Sequence, residues 1–90
     1  MPEPTNSVSV SPTAVFRPLD DGGVVLDAET GAYFELNSTG CQLWEQLRQG
    51  NDPDQITEWM VRQYDIDPSI ARSDLDDFIG ELRKRHLIQD

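Results

Sequence analysis

The sequence predicts an α+β domain in which a three-stranded antiparallel meander precedes three helices. Three observations carry that expectation. Residues 14–36 hold three short alternating runs separated by Gly-containing turns. From Ser38 onward the apolar residues recur at spacings of three and four. Two Asp-Pro pairs, Asp52-Pro53 and Asp67-Pro68, each mark the start of a helix.

Residues 1–12, "MPEPTNSVSVSP", are rich in Pro and Ser and poor in bulky apolar side chains. They are expected to form a flexible arm, with Val8 and Val10 able to add a short strand, and the domain proper spans 13–90. "AVFRPL", residues 14–19, is the first strand, and Pro18 suits an edge or a strand end because it has no N–H. Asp20-Asp21-Gly22-Gly23 is a turn signal, and "VVLDA" after it is the second strand. Glu29-Thr30-Gly31 makes the next turn. "AYFEL" is then the third strand, with Ala32, Phe34 and Leu36 on one face and Tyr33 and Glu35 on the other. Asn37, Ser38 and Thr39 follow without a loop. They match a glycosylation sequon, but their position before an apolar-periodic run suits helix capping.

The first helix carries Leu43, Trp44 and Leu47 and ends before Gly50, a residue suited to a left-handed terminus. The second opens with Asp52 as N-cap, Pro53 at the first helical position and Gln55 placed to complete a capping box. Ile56, Trp59, Met60 and Tyr64 share one face of it. The third begins after Asp67, runs to about Arg85, and places Ala71, Leu75, Phe78, Ile79 and Leu82 in one stripe. Its early acids, Asp74, Asp76 and Asp77, and its late run Arg83-Lys84-Arg85-His86 both complement the helix dipole, and the second reading of that basic run is a nucleic-acid or peptide-carboxylate contact. Leu87 and Ile88 are expected to fold back and close the core. A meander this small buries one face only, so the helices pack on one side of the sheet.

Seventeen acids against seven Lys and Arg give a formal charge of −10. That balance speaks against binding through nucleic-acid phosphates, which takes clustered cations. The second and third helices resemble a helix-turn-helix with the strands as a wing, yet the would-be recognition helix carries Asp74, Asp76, Asp77 and Glu81, which phosphates repel. One cysteine, Cys41, excludes an internal disulfide, and with His86 far along the chain it has no base to activate it. No His, Cys or carboxylate grouping has metal-ligand spacing, no Gly-rich loop suits a phosphate, and no cofactor is expected. No apolar run approaches a membrane span and no signal peptide is recognisable, so a cytoplasmic location is expected. The reading is of a binding protein, not an enzyme.

The third strand is the last of the meander and therefore an edge, with Glu35 as its one charged residue. Such an edge, with the third helix as a wall beside it, can take a peptide as an added strand. An ordinary edge with an apolar inner face accounts for the same residues equally well.

"VVLDAETGAYFELNSTGCQLWEQL" and "DPDQITEWMVRQYDIDPSIARSDLDDFIGELRKRHLI" together resemble the PqqD-like family. The shared marks are Leu26-Asp27, Gly31, Tyr33, Leu36-Asn37, Thr39-Gly40, Trp44 and Leu47. They continue with Ile56, Tyr64-Asp65-Ile66, Asp74-Leu75, Phe78, Leu82 and Leu87-Ile88, so that the resemblance covers residues 14–88. It implies a winged-helix-like fold and a non-catalytic recognition element for ribosomally made, modified peptides. The leader segment of the precursor would add to the third strand in a groove shared with the third helix. The implied contacts are Ala32, Tyr33, Phe34 and Glu35 on the strand and Asp74, Leu75, Phe78 and Ile79 on the helix, with Leu36, Leu82 and Trp44 in the core. The implied partners are a leader peptidase of the cysteine-protease type and a macrocyclase, as in lasso-peptide pathways. The alternatives are a pyrroloquinoline quinone pathway with a radical S-adenosylmethionine enzyme, a DNA-binding winged-helix regulator, and an adaptor that docks through the first helix. One departure stands out: the family carries Gly before its final apolar pair, and this chain carries His86.

Overall fold

A computed structural model describes residues 8–89. In chain order its elements are β1 (Ser9–Val10), β2 (Ala14–Leu19), β3 (Gly22–Asp27), β4 (Tyr33–Asn37), α1 (Ser38–Arg48), α2 (Pro53–Tyr64), α3 (Pro68–Lys84) and β5 (Ile88–Gln89). Strands β2, β3 and β4 form the expected antiparallel meander in that spatial order, so β4 is an edge. β1 pairs with β5 in a second, two-stranded ribbon. Of the arm expected over 1–12, positions 1–7 lie outside the described residues; from Val8 the chain joins the fold, and Val8 and Val10 pack against the core.

The helix starts follow their sequence signals. The Asn37 side chain accepts from the Gly40 N–H and caps α1 directly off the strand. Asp52 and Gln55 exchange side-chain and backbone bonds in a full capping box, and Asp67 accepts from the Ser69 N–H ahead of Pro68. Each cap satisfies N–H groups that the first helical turn leaves open.

The β2–β3 hairpin differs from expectation. Gly22 and Gly23 are not turn residues; they pair with Leu19 and Pro18 inside the ladder, and the turn is Asp20-Asp21 alone. Space explains the glycines. A Cβ on Gly22 would stand 2.0 Å from the Leu36 carbonyl oxygen, and one on Gly23 would stand 2.5 Å from the Phe16 ring. At the other end of the meander β4 starts one residue later than expected, because Gly31 adopts a left-handed φ of 79° and Ala32 still belongs to the turn.

The core lies between one sheet face and the three helices. Val25 and Leu36 from the sheet meet Leu43, Trp44 and Leu47 of α1, Ile56 and Met60 of α2, and the buried stripe of α3. Leu87 and Ile88 close it, as the apolar end of the chain suggests. The opposite sheet face stays open. There Val15, Leu26 and Tyr33 stand in register across the three strands, and each is exposed.

Candidate functional site

The free side of β4 has a backbone logic that follows from its pairing. The Asp27 N–H donates to the Ala32 carbonyl at 2.8 Å, and the register then pairs Val25 with Phe34 and Gly23 with Leu36. Antiparallel ladders alternate, so Ala32, Phe34 and Leu36 turn their backbone groups toward β3. Tyr33 and Glu35 therefore turn their N–H and C=O outward, where among the described residues no strand meets them. Two residues thus offer up to four main-chain hydrogen bonds to an added strand.

Side chains on this edge divide by face. Tyr33, at 61 % exposure, and Glu35 point to the open sheet face, away from the helices. Phe34 points inward, half-buried, and its ring centroid lies 6.1 Å from that of Phe78 on α3 at a tilt of 38°. The Arg85 guanidinium lies over the same Phe34 ring, 4.5 Å from its centroid. Phe34 thus has an aromatic neighbour and a cationic one, both from α3 or its C-terminal cap.

On α3 the residues Asp74, Phe78, Glu81 and Arg85 follow one another at i, i+4, i+7 and i+11, a single helical stripe. Phe78 and Arg85 fix that stripe as the side facing β4. Arg72 lies on the other flank, where it binds Asp54 of α2 at 2.7 Å and Asp76 at 3.1 Å. Arg85 Nη1 donates to the Glu81 carboxylate at 2.5 Å and to the Glu81 carbonyl at 3.2 Å. The Arg85 hydrogen bond, with Lys84 adding its charge, holds the Glu81 carboxyl below its ordinary range.

Of the eight residues the sequence singled out, Phe34 and Phe78 meet in the groove, and Tyr33 and Glu35 supply its main-chain edge. Ala32 stands just before the strand, its N–H bonded to the Thr30 hydroxyl at 3.1 Å. Asp74 is exposed at the far end of the α3 stripe. Leu75 and Ile79, at 0 % and 5 % exposure, are closed into the core, where they support Phe78 from beneath and present no surface. Leu36, Leu82 and Trp44 are buried as expected. The sequence alone places neither Arg85 nor Glu81 beside Phe34, because the basic run at 83–86 reads first as a helix terminus satisfying its dipole and only second as a peptide-carboxylate contact. The spacing of seven from Phe78 to Arg85 was the available signal.

No group of three His, Cys, Asp or Glu side chains converges as a metal site among the described residues. Burial pushes the Cys41 thiol up, which lowers its thiolate fraction and hence its reactivity. No described helix is long and apolar enough to cross a membrane.

Fold and groove together define a small winged-helix-like domain with an open strand edge beside a helix. The sequence matches the family described as coenzyme PQQ synthesis protein D (PqqD) over residues 22–88. The chain belongs to that family. Among solved structures it is similar to "TbiB1 in Complex with the TbiA(beta) Leader Peptide", at 31 % identity and a TM-score of 0.83, covering 90 % of this chain and 94 % of that one. It is also similar in fold to "Lasso peptide synthetase B1 complexed with the leader peptide", at 22 % identity and a TM-score of 0.82, covering 92 % and 98 %. No curated protein matches the sequence.

Proposed function

We propose that this protein is a non-catalytic recognition element that captures the leader segment of a ribosomally synthesised precursor peptide. The leader pairs with Tyr33 and Glu35 as a fourth strand of the sheet, and its alternate side chains enter the groove between β4 and α3 against Phe34 and Phe78. The captured precursor is delivered to a leader peptidase and then a macrocyclase. The observation that carries this reading is the unpaired β4 edge beside an apolar groove, in a chain similar to TbiB1, which was solved with a leader peptide bound. Leu75 and Ile79 act in it by bracing the groove floor, while Asp74 and Glu35 lie at its margins. Because binding rests on main-chain pairing and apolar contact, it needs no cofactor.

The test is a titration of the full chain with the leader half of any precursor-like peptide found encoded beside its gene, followed by backbone NMR. Slowed amide exchange at Tyr33 and Glu35 together with shifts along α3 is expected. Tight binding with changes confined to α1 or α2 would discard the groove, and no binding at high micromolar peptide would discard the function. The lasso assignment is favoured over a pyrroloquinoline quinone pathway by the TbiB1 likeness. Co-purification with a cysteine-protease-type leader peptidase supports it, whereas co-purification with a radical S-adenosylmethionine enzyme would overturn it.

A further inference from the structure

The strand-addition reading leaves Arg85 without a task, and its surroundings are specific. Its guanidinium lies against Phe34, the one β4 side chain that both points into the groove and keeps some exposure. Glu81 engages Nη1 alone; among the described residues Nε and Nη2 have no acceptor. A guanidinium stacked on an aromatic ring is held flat and keeps its N–H edge free to bind a planar carboxylate with two parallel bonds. The tether to Glu81 and the contact with the Phe34 ring restrain the fork before any guest arrives, so less side-chain entropy remains to be lost.

Charge distribution points the same way. The chain carries −10 overall, yet three of its seven Lys and Arg stand in a row at 83–85. Lys84 approaches Glu81 at 3.5 Å, so Glu81 is shared between two cations and does not neutralise both. Lys84 and Arg85 together outweigh Glu81 at this end of the groove, while the other end carries Asp74. Of the stripe facing β4, Asp74 and Glu81 are acidic and Arg85 is the basic member, so a guest carboxylate is favoured beside Arg85.

We propose that Arg85 is a specificity-determining residue that binds an Asp or Glu side chain of the guest peptide, on the groove-facing side of the added strand next to Phe34. The proposal rests on strand addition at β4. It adds a sequence requirement that main-chain pairing cannot supply, and it sets the register of the guest, because one anchored carboxylate distinguishes alignments two residues apart.

The probe is a displayed library of random twelve-residue peptides selected on the immobilised full chain. Enriched peptides are expected to share an acid at a fixed offset from an apolar residue. Changing that acid to its amide in a synthetic peptide should weaken binding to the parent chain about tenfold or more. Arg85→Met should weaken the acidic peptide by a similar factor and bring acid and amide peptides to near-equal affinity, and Arg85→Lys should keep part of the preference for the acid. Peptides that slow exchange at Tyr33 and Glu35 but show no acid preference would overturn the role of Arg85 and leave strand addition standing. Equal affinity of acid and amide peptides for the parent chain would overturn it too, and that comparison needs no variant to fold. A selection that enriches no peptide would remove strand addition and this proposal together.

Discussion

Asp27 shows how one side chain holds two turns in place. It is 3 % exposed, and its Oδ1 accepts from the Glu29 N–H at 2.8 Å, the Thr30 N–H at 3.2 Å and the Thr13 hydroxyl at 3.0 Å. The Glu29 bond foremost, then Thr30 and Thr13, hold its carboxyl below the usual range against the opposing effect of burial. The unfolded chain therefore takes up this proton at a higher pH than the folded chain. The stability from Asp27 is complete above about pH 3.9, its unfolded value, and is lost as pH falls through the lower folded value. Asp27→Asn keeps an acceptor oxygen but no titration. It should be less stable than the parent at pH 7, with the difference shrinking as pH falls below the unfolded value of about 3.9, as urea melts on both sides of that pH would show. His86 makes the opposite case, a residue at odds with its backbone. Its φ of 59° is left-handed, a conformation that glycine adopts without steric cost. The last turn is thus kept at the cost of strain, about 1 kcal/mol for a non-glycine residue. His86→Gly should raise the thermal midpoint by about 2–6 °C, since part of the relief is offset by the freer unfolded chain. Calorimetry would show it, and an unchanged or lower midpoint would contradict it.

At the scale of elements, the two exposed ends of one argument are Gly22 and Gly80. An added methyl on Gly22 drives into the β4 backbone, whereas around Gly80 on α3 nothing lies within 4 Å of a new Cβ. Gly22→Ala should cost about 1–3 kcal/mol by forcing β3 and β4 apart. Gly80→Ala should gain about 0.8–1.0 kcal/mol of helix propensity and leave the groove stripe alone. Chemical denaturation of both variants, and peptide titration of the second, check the pair. These glycines also mark the boundary of what the sequence makes legible. Helix starts were plain because a cap acts within three residues, as Asp52 and Gln55 do, and the meander was plain because its alternation is local. Gly22 and Gly23 were misread as a turn because the crowding that requires them comes from Leu36 and Phe16, which only pairing brings near. The groove was half legible for the same reason. Periodicity put Phe34 and Phe78 on apolar faces and the family resemblance named them as contacts, but Leu75 and Ile79 share the stripe of Phe78, and burial separates them by angles that a stripe does not resolve. The place of Arg85 over the Phe34 ring became visible only once α3 was set against β4.

For the whole molecule, a sheet with one face bare and, among the described residues, both edge strands β2 and β4 unpaired on their outer sides has to avoid sticking to its own copies. The Val15, Leu26 and Tyr33 row is exposed on that face, and Glu35 sits in the next register row, opposite Val24 and Arg17. A charge of −10 keeps copies apart at long range, and Glu35 guards the edge at short range. Glu35→Val should leave the monomer fold intact and promote self-association at high protein concentration, most strongly in high salt where the net charge is screened. Sedimentation velocity at two salt concentrations would read it, and a monomer under both would remove Glu35 from that role. The ribbon of β1 and β5 has a different bearing on the molecule. Ser9 and Gln89 are register partners, so the two ends of the described chain emerge about 5 Å apart. The domain therefore has a single doorway. A few linking residues would join its ends into a circle, and the same few would let it be spliced into a surface loop of a larger enzyme, with β4 and α3 left undisturbed.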